Sequence, residues 1–147
     1  MSREVEVKCM LYIELKTKGL PAIRFNLYEK EAPVTCDEFI KALPLEANAL
    51  QARFAGEEIW IKEGPSLNIP QENASINLKV GELGYASPIP GNEVSRSIAI
   101  VYGEAKLSDC VNVFGYVYKE DLQNLKKLGE KVWTEGKTIL RFELKEV

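Results

Sequence analysis

Residues 4–15 read EVEVKCMLYIEL, a strict alternation of polar and apolar side chains. A two-residue period over this length predicts a β-strand with one buried face. A turn through residues 16–19 follows, and Ile23, Phe25 and Leu27 then repeat the alternation. The two segments are therefore predicted to pair as a β-hairpin joined by a loop of several residues.

Two other segments have the spacing of helices. The first begins near Pro33, which suits a first helical turn because no amide proton is needed there, and it ends before Pro44. The second covers residues 120–128, where leucines three positions apart fall on one face. Gly129 is predicted to cap this helix in the left-handed conformation.

Short apolar or alternating runs predict the remaining strands, at residues 57–62, 75–80, 97–102, 111–118 and 138–145. The total is about eight strands and two helices, without a regular alternation of the two. This arrangement favours a mainly β fold, a closed antiparallel barrel whose open ends are capped by the helices. The 147 residues contain no repeat or linker-like segment. We therefore expect a single domain over residues 1–147.

The composition excludes several classes of function. The sequence has no histidine, which removes Ser-His-Asp and Cys-His catalysis, histidine metal sites and histidine pH switches. The three cysteines lack metal-ligand spacing, so we expect neither a metal nor another cofactor. The net charge is −3, without a basic cluster, which argues against a nucleic-acid partner. No apolar run is long enough to predict a membrane span.

The cysteines and the charged residues also bear on location. Cys9, Cys36 and Cys110 are expected to be buried, reduced thiols. The chain has 19 Glu against 3 Asp and 14 Lys against 5 Arg, with three Gln. Such enrichment is typical of a thermophile. In a thermophile, one intracellular disulfide is an alternative to three reduced thiols. Residues 1–5 do not lead into a secretory segment, so a cytoplasmic protein is expected.

The order of these elements resembles that of the cyclophilins, which are peptidyl-prolyl isomerases. Residues 11–15 (LYIEL), 23–28 (IRFNLY) and 31–39 (EAPVTCDEF) resemble the opening of a cyclophilin, and residues 113–117 (VFGYV) resemble its closing part. The middle resembles a smaller prokaryotic family of cyclophilin-like proteins without an assigned activity. That part of the resemblance rests on residues 52–60 (ARFAGEEIW), 80–85 (VGELGY), 88–92 (PIPGN) and 110–113 (CVNV).

The resemblance implies a modified isomerase site. Prolyl isomerisation needs an apolar pocket for the proline ring and a donor aimed at the prolyl nitrogen of the twisted transition state. Cyclophilins use an arginine as donor, with aromatic residues, a glutamine and a histidine around it. The resemblance places the arginine on Arg53 and the glutamine on Ser97. It places the pocket phenylalanine on or near Ala99, the histidine on Val111 and the tryptophan on or near Leu107. The guanidinium is thus expected to persist beside a pocket that has lost its apolar wall.

The positions that follow the arginine in cyclophilins fall near Glu57, Glu58 and Trp60. In a strand, Glu58 and Trp60 share one face, and Arg53 is expected to reach that face. A carboxylate there would hold the guanidinium in an ion pair. The candidate ligand site therefore consists of Arg53, Glu58, Trp60, Tyr85 and Ser97, with Arg53 as the candidate catalytic donor.

Three functions fit this sequence. The first is a binding protein for a peptide or small molecule, with weak or no isomerase activity. The second is an active peptidyl-prolyl isomerase with a pocket rebuilt around Arg53 and Trp60. The third, from fold analogy alone, is a structural subunit of a larger prokaryotic enzyme. An ordinary surface ion pair for Arg53 and simple packing for Trp60 stay open, as does a homodimer.

Overall fold

The fold is a closed antiparallel barrel, and the computed structural model describes it over residues 11–89 and 94–147. Within those residues the elements are nine strands and two α-helices. They are β1 (Leu11–Lys16), β2 (Ile23–Leu27), α1 (Pro33–Lys41), β3 (Leu45–Gln51), β4 (Gly56–Ile61), β5 (Ala74–Ser75), β6 (Glu82–Tyr85), β7 (Ile98–Ala105), β8 (Val111–Val117), α2 (Leu122–Glu135) and β9 (Thr138–Glu146).

Eight of these strands close on themselves. Their hydrogen-bonded order is β2-β1-β9-β3-β4-β7-β6-β8, and β2 also pairs with β8. The short β5 pairs with β8 from outside this ring. The predicted barrel is confirmed, and so is the first hairpin, in which Ile13 faces Phe25 across β1 and β2. Residues 4–10 of the first predicted strand lie outside the described residues.

Alternation along the strands creates two apolar clusters. Ile98 and Ile100 of β7 are fully buried in the main core inside the barrel. Ala99 and Val101 are buried too, in a second cluster with Leu107 and residues of β8. Both faces of β7 are therefore covered, as the continuous apolar run predicted. The second cluster lies on the opposite face of β7, where a pocket forms.

Several predicted elements are corrected by the structure. The strand predicted at residues 75–80 is reduced to β5, because the chain turns toward β6 and the backbone amide of Lys79 donates to the Glu82 carboxylate at 2.7 Å. Strands β3 and β6 were not predicted from the sequence. The segment of β3, LEANALQ, has only one fully covered position, Ala49, so its alternation is weak.

The second helix is longer than predicted. It runs through Gly129 to Glu135, and its last backbone bond is made by Gly136, whose φ is 86°. Gly129 is therefore not the cap; it lies against the ring of Tyr102, where any Cβ would collide. Trp133, which lies beyond the predicted helix end at residue 128, is on this helix. Neither helix in the described parts of the chain is long and apolar enough to cross a membrane.

A paired carboxylate fixes the start of α2 to the barrel. Asp121 accepts hydrogen bonds from the Arg24 backbone amide at 2.8 Å, from its Nε at 2.8 Å and from its Nη2 at 3.0 Å. The guanidinium also lies over the Tyr118 ring, 4.6 Å from its centroid. These bonds lower the pKa of Asp121 and tie β2 to the helix start.

The cysteine prediction is right for one residue and wrong for another. Cys36 is buried, its thiol donates to the Phe114 carbonyl at 3.4 Å, and burial raises its pKa to about 12. Cys110 is exposed, because it lies in the turn before β8. Both are free thiols, and Cys9 lies outside the described residues.

Candidate functional site

A small pocket lies on the outer face of β4 and β7, and we call it the Glu58 pocket. Its cavity volume, counted as the space that the centre of a water molecule can occupy, is about 30 Å³. This is room for one or two waters or for a compact head group. Its walls come from the turn before β4, from β4 and β7, and from the connection into β8. The lining residues are Phe54, Glu58, Trp60, Val94, Ser97, Ala99, Leu107, Ser108, Asp109 and Val111.

Strand alternation places the pocket's two central side chains. Ile59 and Ile61 of β4 are fully buried in the barrel core, so Glu58 and Trp60 face the other way. In the ladder with β7, Glu58 lies opposite Val101 and Trp60 opposite Ala99. The prediction that Glu58 and Trp60 share one face is confirmed.

Glu58 is a buried carboxyl that has no partner among the described residues. Its residue is only 4% exposed. Within residues 11–89 and 94–147 no hydrogen bond or ion pair reaches its carboxyl group. Burial in apolar surroundings disfavours the charged form and raises the pKa of Glu58 to about 7. A group of this kind costs free energy in the folded protein unless a partner arrives.

Aromatic surface borders the same pocket. Phe54 is 71% exposed, an unusual environment for a large apolar side chain. Its ring packs edge-on against Trp60, with centroids 5.9 Å apart and an interplanar angle of 88°. The two rings form an apolar edge beside the buried carboxyl.

Arg53 is not brought to this pocket. Its guanidinium lies over the Trp133 ring of α2, 4.7 Å from the centroid, and Nη2 donates to the Trp133 carbonyl at 3.4 Å. A tight turn after β3 causes the separation: the amides of Ala55 and Gly56 both donate to the Ala52 carbonyl. Arg53 and Glu58 are both described, and the predicted ion pair between them is not formed.

Tyr85 and Ser97 have different surroundings. Tyr85 is fully buried in the main core; its hydroxyl donates to the Pro65 carbonyl at 2.6 Å and accepts from the Leu67 amide at 3.0 Å. It therefore lies away from the pocket lining. Ser97 lines the pocket, and its hydroxyl donates to the Val94 carbonyl at 2.6 Å.

Four of the positions that the resemblance to cyclophilins picked out do line the Glu58 pocket: Ser97, Ala99, Leu107 and Val111. Arg53, the fifth, does not. Phe54 and Asp109 also line the pocket and were not predicted from the sequence. An aromatic residue in a turn just before Gly56 was the one available signal for Phe54.

Asn112 lies close to the pocket floor but is engaged elsewhere. It is fully buried. Its Nδ2 donates to the Thr35 hydroxyl and to the Pro70 carbonyl, both at 3.0 Å, and its Oδ1 accepts from the Glu72 amide at 3.1 Å. Asn112 therefore acts as a bonded structural amide.

A second, wider depression lies beside α2. It is open, offers about 620 Å³, and mixes acidic and basic side chains. Tyr102 and Trp133 form its apolar part, with Glu57, Lys127, Glu130, Lys131 and Thr134 around them. In the described part of the chain, no group of three Cys, Asp or Glu side chains is arranged to hold a metal ion.

The closed barrel has a cyclophilin-like fold. A cyclophilin-type peptidyl-prolyl isomerase from Cryptosporidium parvum, solved in the presence of the dipeptide Ala-Pro, superposes with a TM-score of 0.65 at 16% identity. The match covers 92% of this chain and 98% of that one. By its sequence, the chain belongs to the DUF3830 family of proteins of unknown function, whose profile matches residues 13–144.

Two further solved structures share the fold. McbB in complex with tryptophan gives a TM-score of 0.65 at 16% identity over 90% of this chain, which spans only 44% of the McbB chain. A hypothetical protein from Archaeoglobus fulgidus gives 0.64 at 19% identity, covering 95% of this chain and 98% of its own. Identities this low establish the fold alone. Comparison with curated protein sequences finds no significant match.

Proposed function

We propose that this protein binds a peptide or small-molecule ligand in the Glu58 pocket and has weak or no isomerase activity. The observation that carries the proposal is the Glu58 carboxyl at the pocket wall, which is 4% exposed and has no partner in the described part of the chain. Strongly perturbed carboxyls cluster at functional sites, and convergent polar groups in an apolar pocket are typical of ligand sites.

The pocket lacks the chemistry of a prolyl isomerase. The guanidinium of Arg53 stacks on Trp133 instead of lining the pocket. Ala99 and Val111, with small side chains, line the pocket where the resemblance places the phenylalanine and the histidine of a cyclophilin. An isomerase rebuilt around Arg53 and Trp60 is the weaker alternative, because those two residues do not line one pocket.

The fold neighbours support a binding role only in general terms. McbB has been seen in complex with tryptophan, so one barrel of this shape occurs in a protein that takes a small molecule. A cytoplasmic location in a thermophile, a homodimer and a subunit role stay predictions. The native mass and the co-purifying proteins test the last two.

Binding can be tested with three probes of one shape and different charge: benzylamine, benzyl alcohol and benzoate. Each is titrated into ¹⁵N-labelled protein. The proposal predicts that at least one probe shifts the Trp60 indole N–H together with the amides of Ser97 and Leu107. If none of the three probes shifts these signals, the proposed function is wrong.

A pocket-filling variant gives the matched control. Ala99→Val adds two carbons to the pocket wall and is expected to abolish the shifts. Ala47→Val makes the same change on β3, outside the pocket, and should leave them unchanged. Shifts that persist in Ala99→Val would place binding elsewhere.

The isomerase alternative has its own assay. A protease-coupled assay on a proline peptide is run with the wild type and with Arg53→Ala. We expect both to remain at the uncatalysed rate. Catalysis that is lost in Arg53→Ala would establish the alternative and overturn this part of the proposal.

A further inference from the structure

The polar groups of the Glu58 pocket are unequally satisfied. The Ser97 hydroxyl already donates to the Val94 carbonyl, and the Ser108 hydroxyl donates to Asp109 at 3.3 Å. Both oxygens of Glu58, by contrast, lack donors within the described residues. The carboxyl oxygens of Glu58 can therefore still accept hydrogen bonds. A ligand that satisfies them must bring hydrogen-bond donors.

The charges on the described lining residues have one sign. Glu58 and Asp109 are the ionisable groups among them, and both are acids. Glu57, the next residue of β4, faces away and accepts from the Glu104 amide at 3.0 Å. β7 and β8 contribute only Ala99 and Val111 to the lining. A carboxylate or phosphate ligand would meet like charge here, whereas a cation would be attracted.

Size and apolar edge restrict the cation further. A space of about 30 Å³ for water-sized centres accepts an ammonium group, which is about as large as water, but not a trimethylated one. The rest of the ligand must remain outside, where the exposed Phe54 ring and Trp60 offer an apolar surface. Aromatic faces also attract cations.

We propose that the Glu58 pocket binds the primary ammonium group of a small amine, whose apolar remainder lies against Phe54 and Trp60. This inference rests on the proposed function and specifies its ligand class. The ammonium donates to the Glu58 carboxylate and supplies the missing opposite charge. Charged hydrogen bonds of this kind are the strong ones.

A pH dependence follows from the same geometry. Asp109, from the connection between β7 and β8, is the other titratable group that faces this pocket within the described residues. Below about pH 7 Glu58 holds a proton, which binding of an ammonium must displace. Amine affinity should therefore fall as the pH is lowered through this region, while the amine itself stays protonated.

The test uses Trp60 as its own reporter. The chain has two tryptophans, so Trp133→Phe leaves Trp60 as the single indole, and its fluorescence reports the pocket. Near pH 8, benzylamine is expected to bind at least roughly tenfold more tightly than benzyl alcohol, and benzoate more weakly than either. The Glu58→Gln variant should bring benzylamine down to the level of benzyl alcohol.

The controls separate this inference from the proposed function. Equal binding of the three probes, or tightest binding of benzoate, would overturn the ammonium assignment and leave the pocket as a ligand site. If no probe binds, both fail. Asp109→Asn should change benzylamine affinity less than about threefold, because this acid lies at the exposed rim. A loss of amine preference in Asp109→Asn, but not in Glu58→Gln, would contradict the assignment.

A bulkier cation tests whether the charged group enters the pocket beside Glu58. Benzyltrimethylammonium carries the same charge but is too large for the space beside Glu58. We expect it to bind more weakly than benzylamine. Equal affinity would mean that the cation rests on the outer aromatic faces, and the proposal would then be wrong.

Discussion

Two acidic residues, Glu58 and Asp121, are buried almost equally and yet have opposite electrostatic surroundings. Glu58 is 4% exposed and Asp121 is 6% exposed. Asp121 accepts three hydrogen bonds from Arg24, which lower its pKa. Glu58 has none from the described residues, and burial raises its pKa to about 7.

The difference separates two regions of the molecule, the start of α2 and the Glu58 pocket. At the start of α2 a carboxylate is fully satisfied by the chain itself, so it contributes to the fold. In the Glu58 pocket no described residue donates to the carboxyl, so its burial destabilises the ionised form of the protein. Burial alone thus does not set the pKa of an acidic side chain; its hydrogen-bond partners decide the direction of the shift.

The largest expected effect comes from Glu58→Gln. The folded protein holds the Glu58 proton more tightly than the unfolded chain, so wild-type stability falls as the pH rises from about 4.5 through about 7. Gln resembles the protonated acid and removes this loss. We expect the variant to be more stable by about 3 kcal/mol near pH 8, with little difference near pH 4.5. Urea unfolding at both pH values measures it.

The neighbouring Glu57 gives the matched control. Its side chain is exposed on the other face of β4, so Glu57→Gln should not produce a pH-dependent gain. A similar gain in both variants would reflect net charge rather than burial of Glu58.

Asp121→Asn is expected to have the opposite sign. It weakens the bonds to Arg24, and we expect a loss of about 2 kcal/mol of unfolding free energy at neutral pH. Because the pKa of Asp121 is lowered, the wild type loses this advantage as the pH falls below the ordinary value, and the two proteins should converge in acid. A constant difference down to pH 2 would argue against the ion pair.

Added carbon atoms should also be tolerated differently at two positions, Gly129 in α2 and Ala99 in the pocket wall. Gly129→Ala forces a Cβ into the Tyr102 ring. Overpacking costs about 1–3 kcal/mol, partly offset by about 1 kcal/mol of helix propensity, so a net loss of about 1 kcal/mol is expected. Ala99→Val on the pocket side has free space and should lose less. Thermal melts of both variants compare them directly.

The smallest effect is expected for Arg53→Ala. An exposed cation–π contact with Trp133 contributes about 0.5 kcal/mol, so stability should change little. Benzylamine binding should be unchanged, since Arg53 does not line the pocket. Loss of binding in this variant would restore Arg53 to the site.

Much of the fold was predictable from the sequence because alternation is a local property. The hairpin of β1 and β2 and the strands β4, β7, β8 and β9 were predicted from their own residues. The place of Gly129 inside α2, rather than at its cap, was not predictable. It depends on a contact with the ring of Tyr102, which is 27 residues earlier in the chain. Helix propensity could not reveal that a tyrosine ring occupies the space of a side chain.

The site was predictable in part for the same reason. The shared face of Glu58 and Trp60 follows from their spacing in one strand. The position of the Arg53 side chain depends on the turn at Ala52. That turn directs Arg53 toward Trp133 and the next residue, Phe54, toward Trp60. Likewise, nothing local shows that the Tyr85 hydroxyl is bonded inside the core to Pro65 and Leu67.

The most direct test of this account is the titration of Glu58 itself. The side-chain carboxyl carbon can be followed by ¹³C NMR and assigned by its disappearance in Glu58→Gln. The account predicts a midpoint near pH 7 in the free protein, which moves down when benzylamine is bound. A midpoint near 4.5, unaffected by benzylamine, would show a solvated or paired carboxyl and contradict the central claim.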